Sequence, residues 1–533
     1  MEKRIYIADW LEFKPYERQV PTDNYYLKIC NEVKRSITMN RWSFIILKYI
    51  DSEDVDKLAC FLTSYFEDLI SETNIWNTFV RMHQQLYKKQ LPFYNLDEYT
   101  ENEINIQDIC FLVWYFLNTM QEEKSIAPYN DFIIKTAEKV MEVFDEAWEY
   151  APENVSLKSF YQKDSKGEDF YVARNQIDSI LFKTYLFYPD TLIELIEQEL
   201  EILEDLKDDR NLMSILSENR DKLLHSSHTR LLNLKGKEWA SEILKNNKVL
   251  SENFLGMSHR ISGLFLYKGQ DDFNVFIEHI ASGKKFNLTK KSFDHSASLK
   301  DIDAILFLGI ASWKDEWWFS GVFFQQPFEV DIILKEKNSM ESRIAVNFLD
   351  HDKKETNELL ENQLRAFKEF NNGSQIAFVS SDRLENFVRS YTEYFNESLN
   401  LSAKEREEAN QMARDDGFFG NYGEKKDFSL VSDSGLIFFN PKSGVEIALG
   451  VNCAFPLTNN HFFDPEQSED AVTALLISDE MSAELAMFCI DNCKNDLPFF
   501  NKGIGKMYLD DIDFLLRFWK KNNYYAKPSV TFT

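Results

Sequence analysis

Asp350, His351 and Asp352, with Glu355 close behind, gather carboxylates and an imidazole just after an expected strand, RIAVNFLD. The end of a strand is where α/β proteins hold groups that move protons or activate water. An unfamiliar hydrolase or transferase would have its site here, where the last two domains meet. The same residues also make an ordinary helix cap with solvated charge around it. His225 and His228, at i and i+3, would share one helix face and could bind a metal together. No HExxH pattern or third ligand accompanies them, and RDKLLHSSHTRLLNL around them is basic, so helix-end or surface histidines are expected and no metal. Cys489 and Cys493 in FCIDNCKND lack the two-residue spacing of a redox pair and read as small buried residues. His461 and Asp464 in NNHFFDPEQ read as a loop and a cap.

Binding chemistry has two further candidates. Lys284, Lys285, Lys290 and Lys291 flank one expected strand beside aromatic rings, the combination that single-stranded nucleic acid uses through backbone charge and base stacking. Four lysine–phosphate contacts give a salt slope of about −3 to −4. Yet residues 260–335 hold nine basic and ten acidic side chains, so the segment is not basic overall. The second candidate is DEWWFSG, 315–321. Neighbours on a strand point to opposite faces, which puts Trp317 with Phe319 inside and Trp318 with Glu316 and Ser320 outside. Trp317 is therefore expected in the core. Trp318 is expected against another domain of the same protein or, as the functional alternative, exposed as a binding ring. No Walker A, GxGxxG, GxSxG or kinase motif occurs, and no cofactor is implied.

These residues sit in a chain of 533 with 44% hydrophobic residues, 45 phenylalanines and a formal charge of −28. Such length predicts several domains, and such a charge disfavours nucleic acid and anionic lipid as general partners. Six dispersed cysteines suit a reducing cytoplasm, and no export signal or apolar run of membrane-spanning length is visible.

The periodicity divides the chain in three. Residues 1–255 read as an all-α domain; DVDKLACFLTSYFEDLI and TLIELIEQELEILEDL carry apolar stripes at helical spacing, the latter through Leu192, Ile196, Leu200 and Leu203 with acids facing water. Residues 256–335 alternate with period two between turn signals and predict a small barrel-like β module. Residues 336–533 predict an α+β domain with a β-hairpin around FSLVSDSGLIFFNPKSGVEIALGV and terminal helices. The whole is a multidomain α+β protein.

The opening IYIADWLEFKPYERQVPTDNYYLKICNEV resembles the start of a family of uncharacterised bacterial proteins, a domain of unknown function associated with gut anaerobes. The resemblance implies coverage of most of the chain and brings no activity or catalytic residues. The middle is similar to a β module found beside the SEC-C zinc motif. Ser282-Gly283-Lys284 and Leu299 to Asp303 match it loosely, and Trp317, Ser320 and Gly321 match it well. The Cys/His cluster of the zinc site is missing, so no metal role is implied. The resulting expectation is a cytoplasmic, non-catalytic binding or scaffold protein. Its partner would be another protein or a second copy rather than nucleic acid, with no membrane association. An enzyme at Asp350, His351 and Asp352 is the alternative, and single-stranded nucleic-acid binding is third.

Overall fold

The computed structural model describes residues 4–94, 99–121, 125–161, 169–207, 209–245, 247–339, 342, 353–399, 402, 404–407 and 428–525. The chain forms two compact units, Met1–Asn347 and Phe348–Thr533. The helices and the β module that the periodicity separates at 255/256 share the first.

That unit begins with α1 (Ile7–Leu11), α2 (Asp23–Thr38), α3 (Ser43–Ile46), α4 (Ser52–Ser71), α5 (Ile75–Tyr87), α6 (Ile106–Met120) and α7 (Asp131–Ala147). It continues through α8 (Val155–Tyr161), α9 (Phe170–Lys183), α10 (Ile193–Asp205), α11 (Leu212–Ser226), α12 (Gly236–Ile243) and α13 (Lys248–Gly256). Asp51 starts α4 by accepting from the backbone N–H groups of Glu53 and Asp54 at 2.8 Å, and Glu72 ends it in the left-handed region. The α6 sequence is apolar all round, and every residue from Asp108 to Thr119 is buried, which makes this helix the centre of the bundle. Its one carboxylate, Asp108, accepts from the hydroxyls of Tyr65 at 2.8 Å and Tyr99 at 3.2 Å.

The barrel follows as β1 (Ile261–Gln270), β2 (Asn274–His279), β3 (Lys285–Thr289), β4 (Ile305–Trp313) and β5 (Glu316–Gln326), closed in the order β1-β2-β3-β5-β4. Every pairing is antiparallel except β3 with β5, which meet in parallel at Leu288 and Trp317. A closed five-stranded barrel carries no function by itself. Phe265, Ile277, Leu288, Leu308 and Ile310 fill the interior. Lys314 and Asp315, both at positive φ (51° and 62°), join β4 to β5 in a two-residue turn with the strand twist a hairpin needs. Helix α14 (Val330–Asn338) then lays Ile333 against Leu266, Ile280 and Ile305.

The second unit holds an antiparallel sheet ordered β6 (Ile376–Ser380), β7 (Ser434–Asn440), β8 (Gly444–Leu449). Its core joins Phe367 of the helix 353–370 and Tyr391 of the helix 384–398 to Ile437 and Phe439. The expected hairpin is β7–β8, turning at 441–443 into Gly444 at φ 95°. The earlier Ser432 to Gly435 cluster leads into β7 instead of joining two strands, because Phe428–Leu430 forms a helical turn.

Candidate functional site

The motif residues Trp317, Ser320 and Gly321 lie on β5 where the barrel meets α9 and α11. Strand alternation sends them apart as expected. Trp317 shares the inner face with Leu288 and meets Phe286 edge-on at 4.9 Å, while Trp318 points out onto Phe170 and Tyr171 of α9, at 6.0 and 6.4 Å. The burial is opposite to the expected ranking. Trp318 is 5% exposed, whereas Trp317, one residue into β5 beside the 314–315 turn, is only half-buried. The neighbour of Trp318 is the helical part of its own chain, so no open ring is presented there.

Two residues on, the seam turns polar. Along α11, Glu218, Asp221 and His225 recur at helical spacing and face β5. Arg260, just before β1, gives Nη2 to both Glu218 carboxylate oxygens at 2.6 Å and to the Ser320 carbonyl at 3.1 Å. Ser320 Oγ donates to Asp221, which also accepts from Arg174 Nε at 2.7 Å. Glycine is required twice beneath the guanidinium. A Cβ on Gly309 or Gly321 would stand 2.3 Å from Arg260 Nη2, and Gly321 has φ 90°. Burial alone would raise Asp221, but Arg174, His225, Ser320 and Arg260 outweigh it and hold the carboxyl below its usual range. Desolvation pushes the His225 imidazole well down, against the pull of Asp221.

Serine, histidine and aspartate thus meet, with Ser320 Oγ 3.5 Å from His225 Nε2. The order is wrong for nucleophilic catalysis, which needs the base on the serine and the carboxylate behind the base. Here the carboxylate itself accepts the serine hydroxyl's hydrogen bond, and Ser320 is 1% exposed. The cluster welds barrel to helices.

The remaining candidates are dispersed. Asp350, His351 and Asp352 lie outside the described residues. His225 and His228 do not share a helix face, because α11 ends at Ser226 and His228 bridges to Lys235. Among the described residues no group of three or more His, Cys, Asp or Glu is placed to hold a metal. All six cysteines are free and buried. Asp464 caps a turn by accepting from Glu466 N at 2.9 Å. Lys285 stands opposite Glu278 across β2 and β3, and Lys291 is 2.8 Å from Glu316. Lys284 and Lys290 are half-buried. The near-equal count of acids and bases is therefore partly realised as facing pairs.

The α10 stripe through Ile196, Leu200 and Leu203 does not face the core; these side chains are 38%, 54% and 39% exposed. Helix α10 packs through Leu195 instead, because the preceding turn fixes its phase. In that turn Asp190 accepts from Arg230 N at 2.6 Å and Thr191 donates to the Leu181 carbonyl at 2.5 Å. With Asp190 and Thr191 held inside, a rotation of about 100° per residue brings Leu195 in and Ile196 out.

The chain thus combines a helical bundle, a closed barrel locked to it and a second α+β unit. Residues 4–261, just under half of the chain, match a family described as a protein of unknown function (DUF3843), in keeping with the resemblance of the opening residues. The match ends at the first residue of β1, short of the coverage expected. No curated protein and no solved structure gives a significant match to the chain. No helix among the described residues is long and apolar enough to cross a membrane.

Proposed function

We propose that the protein is a non-catalytic binding or scaffold protein of the bacterial cytoplasm, and that α10 presents its partner-binding face. The observation that supports this is the exposed stripe Ile196, Leu200, Leu203, at the i, i+4, i+7 spacing by which amphipathic helices engage partners. Scattered exposed aliphatics need no explanation, but a row of them on one helix marks an interaction surface. Six free, buried cysteines suit a reducing compartment. Native mass spectrometry on protein gently purified from its own cells tests the reading. Retention of a protein partner by wild type, and its loss in Leu200→Asp at unchanged Tm, is the expected result. A partner retained equally by both proteins, or a bare wild-type mass, goes against it.

A further inference from the structure

The partner of α10 has to satisfy its chemistry. Between Ile193 and Asp205 the helix carries Glu194, Glu197, Glu199, Glu201, Glu204 and Asp205 and no basic residue. At about 100° per residue Glu197, Glu199 and Glu204 flank the stripe, so two such faces packed together would bring six acids and no base into one interface, and the stripe does not suit a symmetric pairing with itself. It calls for a surface that is apolar in the middle and cationic at the edges.

The same chain offers one. A groove of about 820 Å³ runs between α2 and α7, with Met39 and Trp42 as apolar contacts and Arg35, Arg41, Lys135 and Lys139 around them. Three glutamates, Glu32, Glu138 and Glu146, also line it, leaving one net positive charge on a chain whose total is −28. Met39 is 66% exposed, Arg41 lies over the Trp42 ring at 5.0 Å and Arg35 Nε meets Met39 Sδ at 3.2 Å. These cations are held against the apolar floor. Lys135 and Lys139 reach Glu138 and Glu142 one turn along their own helix, at 2.7 and 2.5 Å. Such exposed pairs are weak, so an incoming carboxylate replaces them at little cost. Lengths agree as well: the α7 wall from Lys135 to Glu146 spans about 16 Å, and the stripe from Ile196 to Leu203 about 10 Å.

We propose that the α10 stripe of one copy docks into the α2–α7 groove of a second copy of this chain. The proposal rests on the reading of α10 as the binding face and names its occupant. Stripe and groove are different surfaces, so the contact is head-to-tail, and a pair leaves the groove of one copy and the stripe of the other unused. Assembly therefore continues to a ring or an open chain, and salt weakens it.

Sedimentation velocity on the full chain tests this through complementation. Wild type is expected to shift to larger species as concentration rises, less so in high salt. Leu200→Asp, with stripe spoiled and groove intact, is expected to stay monomeric, as is Arg35→Glu/Arg41→Glu, with groove spoiled and stripe intact. Mixing the two variants is expected to give a dimer and nothing larger, since only one productive contact remains. Lys135→Glu/Lys139→Glu is a second groove variant should the first not fold. Wild type that assembles while no mixture forms a dimer would overturn the groove. A monomeric wild type at every concentration would overturn the second copy as occupant. If native mass spectrometry still showed a Leu200-dependent partner, the binding reading would survive that result; if it did not, both would fall.

Discussion

Helices α10 and α11 are packed neighbours, yet they treat their side chains in opposite ways. Helix α11 puts Glu218 and Asp221 into the seam with the barrel, where Arg260 and Arg174 from other elements pair with them. Helix α10 leaves Ile196, Leu200 and Leu203 facing outward. Buried charge met by an opposite charge is structural, because removing water from an ion is only tolerable when its interactions are largely replaced. Hydrocarbon left this exposed in a row contributes little to the isolated chain, and under the reading proposed above it is available to a partner. The chemically provocative cluster, serine beside histidine and aspartate, is thus the structural one, and the bland leucines are the functional candidate.

Perturbations should separate the two helices. The largest expected loss is Arg260→Ala, which strands Glu218 against a buried seam and should cost about 3–5 kcal/mol in urea unfolding. Gly321→Ala forces a Cβ towards Arg260 and Glu218 at a positive φ, and should cost about 2–3 kcal/mol by the same assay. A smaller, pH-dependent effect belongs to the bundle centre. Burial pushes Asp108 up to about 7 in spite of the hydroxyl of Tyr65 and the amide of Asn105. The folded chain then keeps a proton that the unfolded chain releases near 3.8, so this group's contribution declines as pH rises from about 4 to about 7. Asp108→Asn should remove that decline, seen as a flatter Tm-versus-pH curve across this window. Lys314→Asn with Asp315→Gly eases two left-handed positions and should add about 0.5–1 kcal/mol. Leu200→Asp should change stability least, by no more than about 0.5 kcal/mol.

Much of the architecture was legible in the residues. Period two over 256–335 points to the barrel, helical stripes point to the bundle, and alternation alone sends Trp317 inward and Trp318 outward. What alternation does not encode is what covers the outer face; the 5% exposure of Trp318 comes from Phe170, nearly 150 residues earlier in the chain. The seam was half-legible. Glu218, Asp221 and His225 form a polar row on α11, and Gly321 was singled out, but Arg260 shows no local pattern that ties it to them. The α10 sequence holds two apolar faces, one through Ile196 and Leu200, the other through Leu195 and Ile202, and periodicity alone does not choose between them. The hydrogen bonds of Asp190 and Thr191 select between them, and those depend on partners on other elements.

The comparison between the two helices is tested most directly by urea unfolding of Leu200→Asp beside Arg260→Ala. The expected result is an unfolding free energy for Leu200→Asp within about 0.5 kcal/mol of wild type, and one for Arg260→Ala lower by about 3–5 kcal/mol. A Leu200→Asp protein as destabilised as Arg260→Ala would mean that the stripe is core, and the functional reading of α10 would be contradicted.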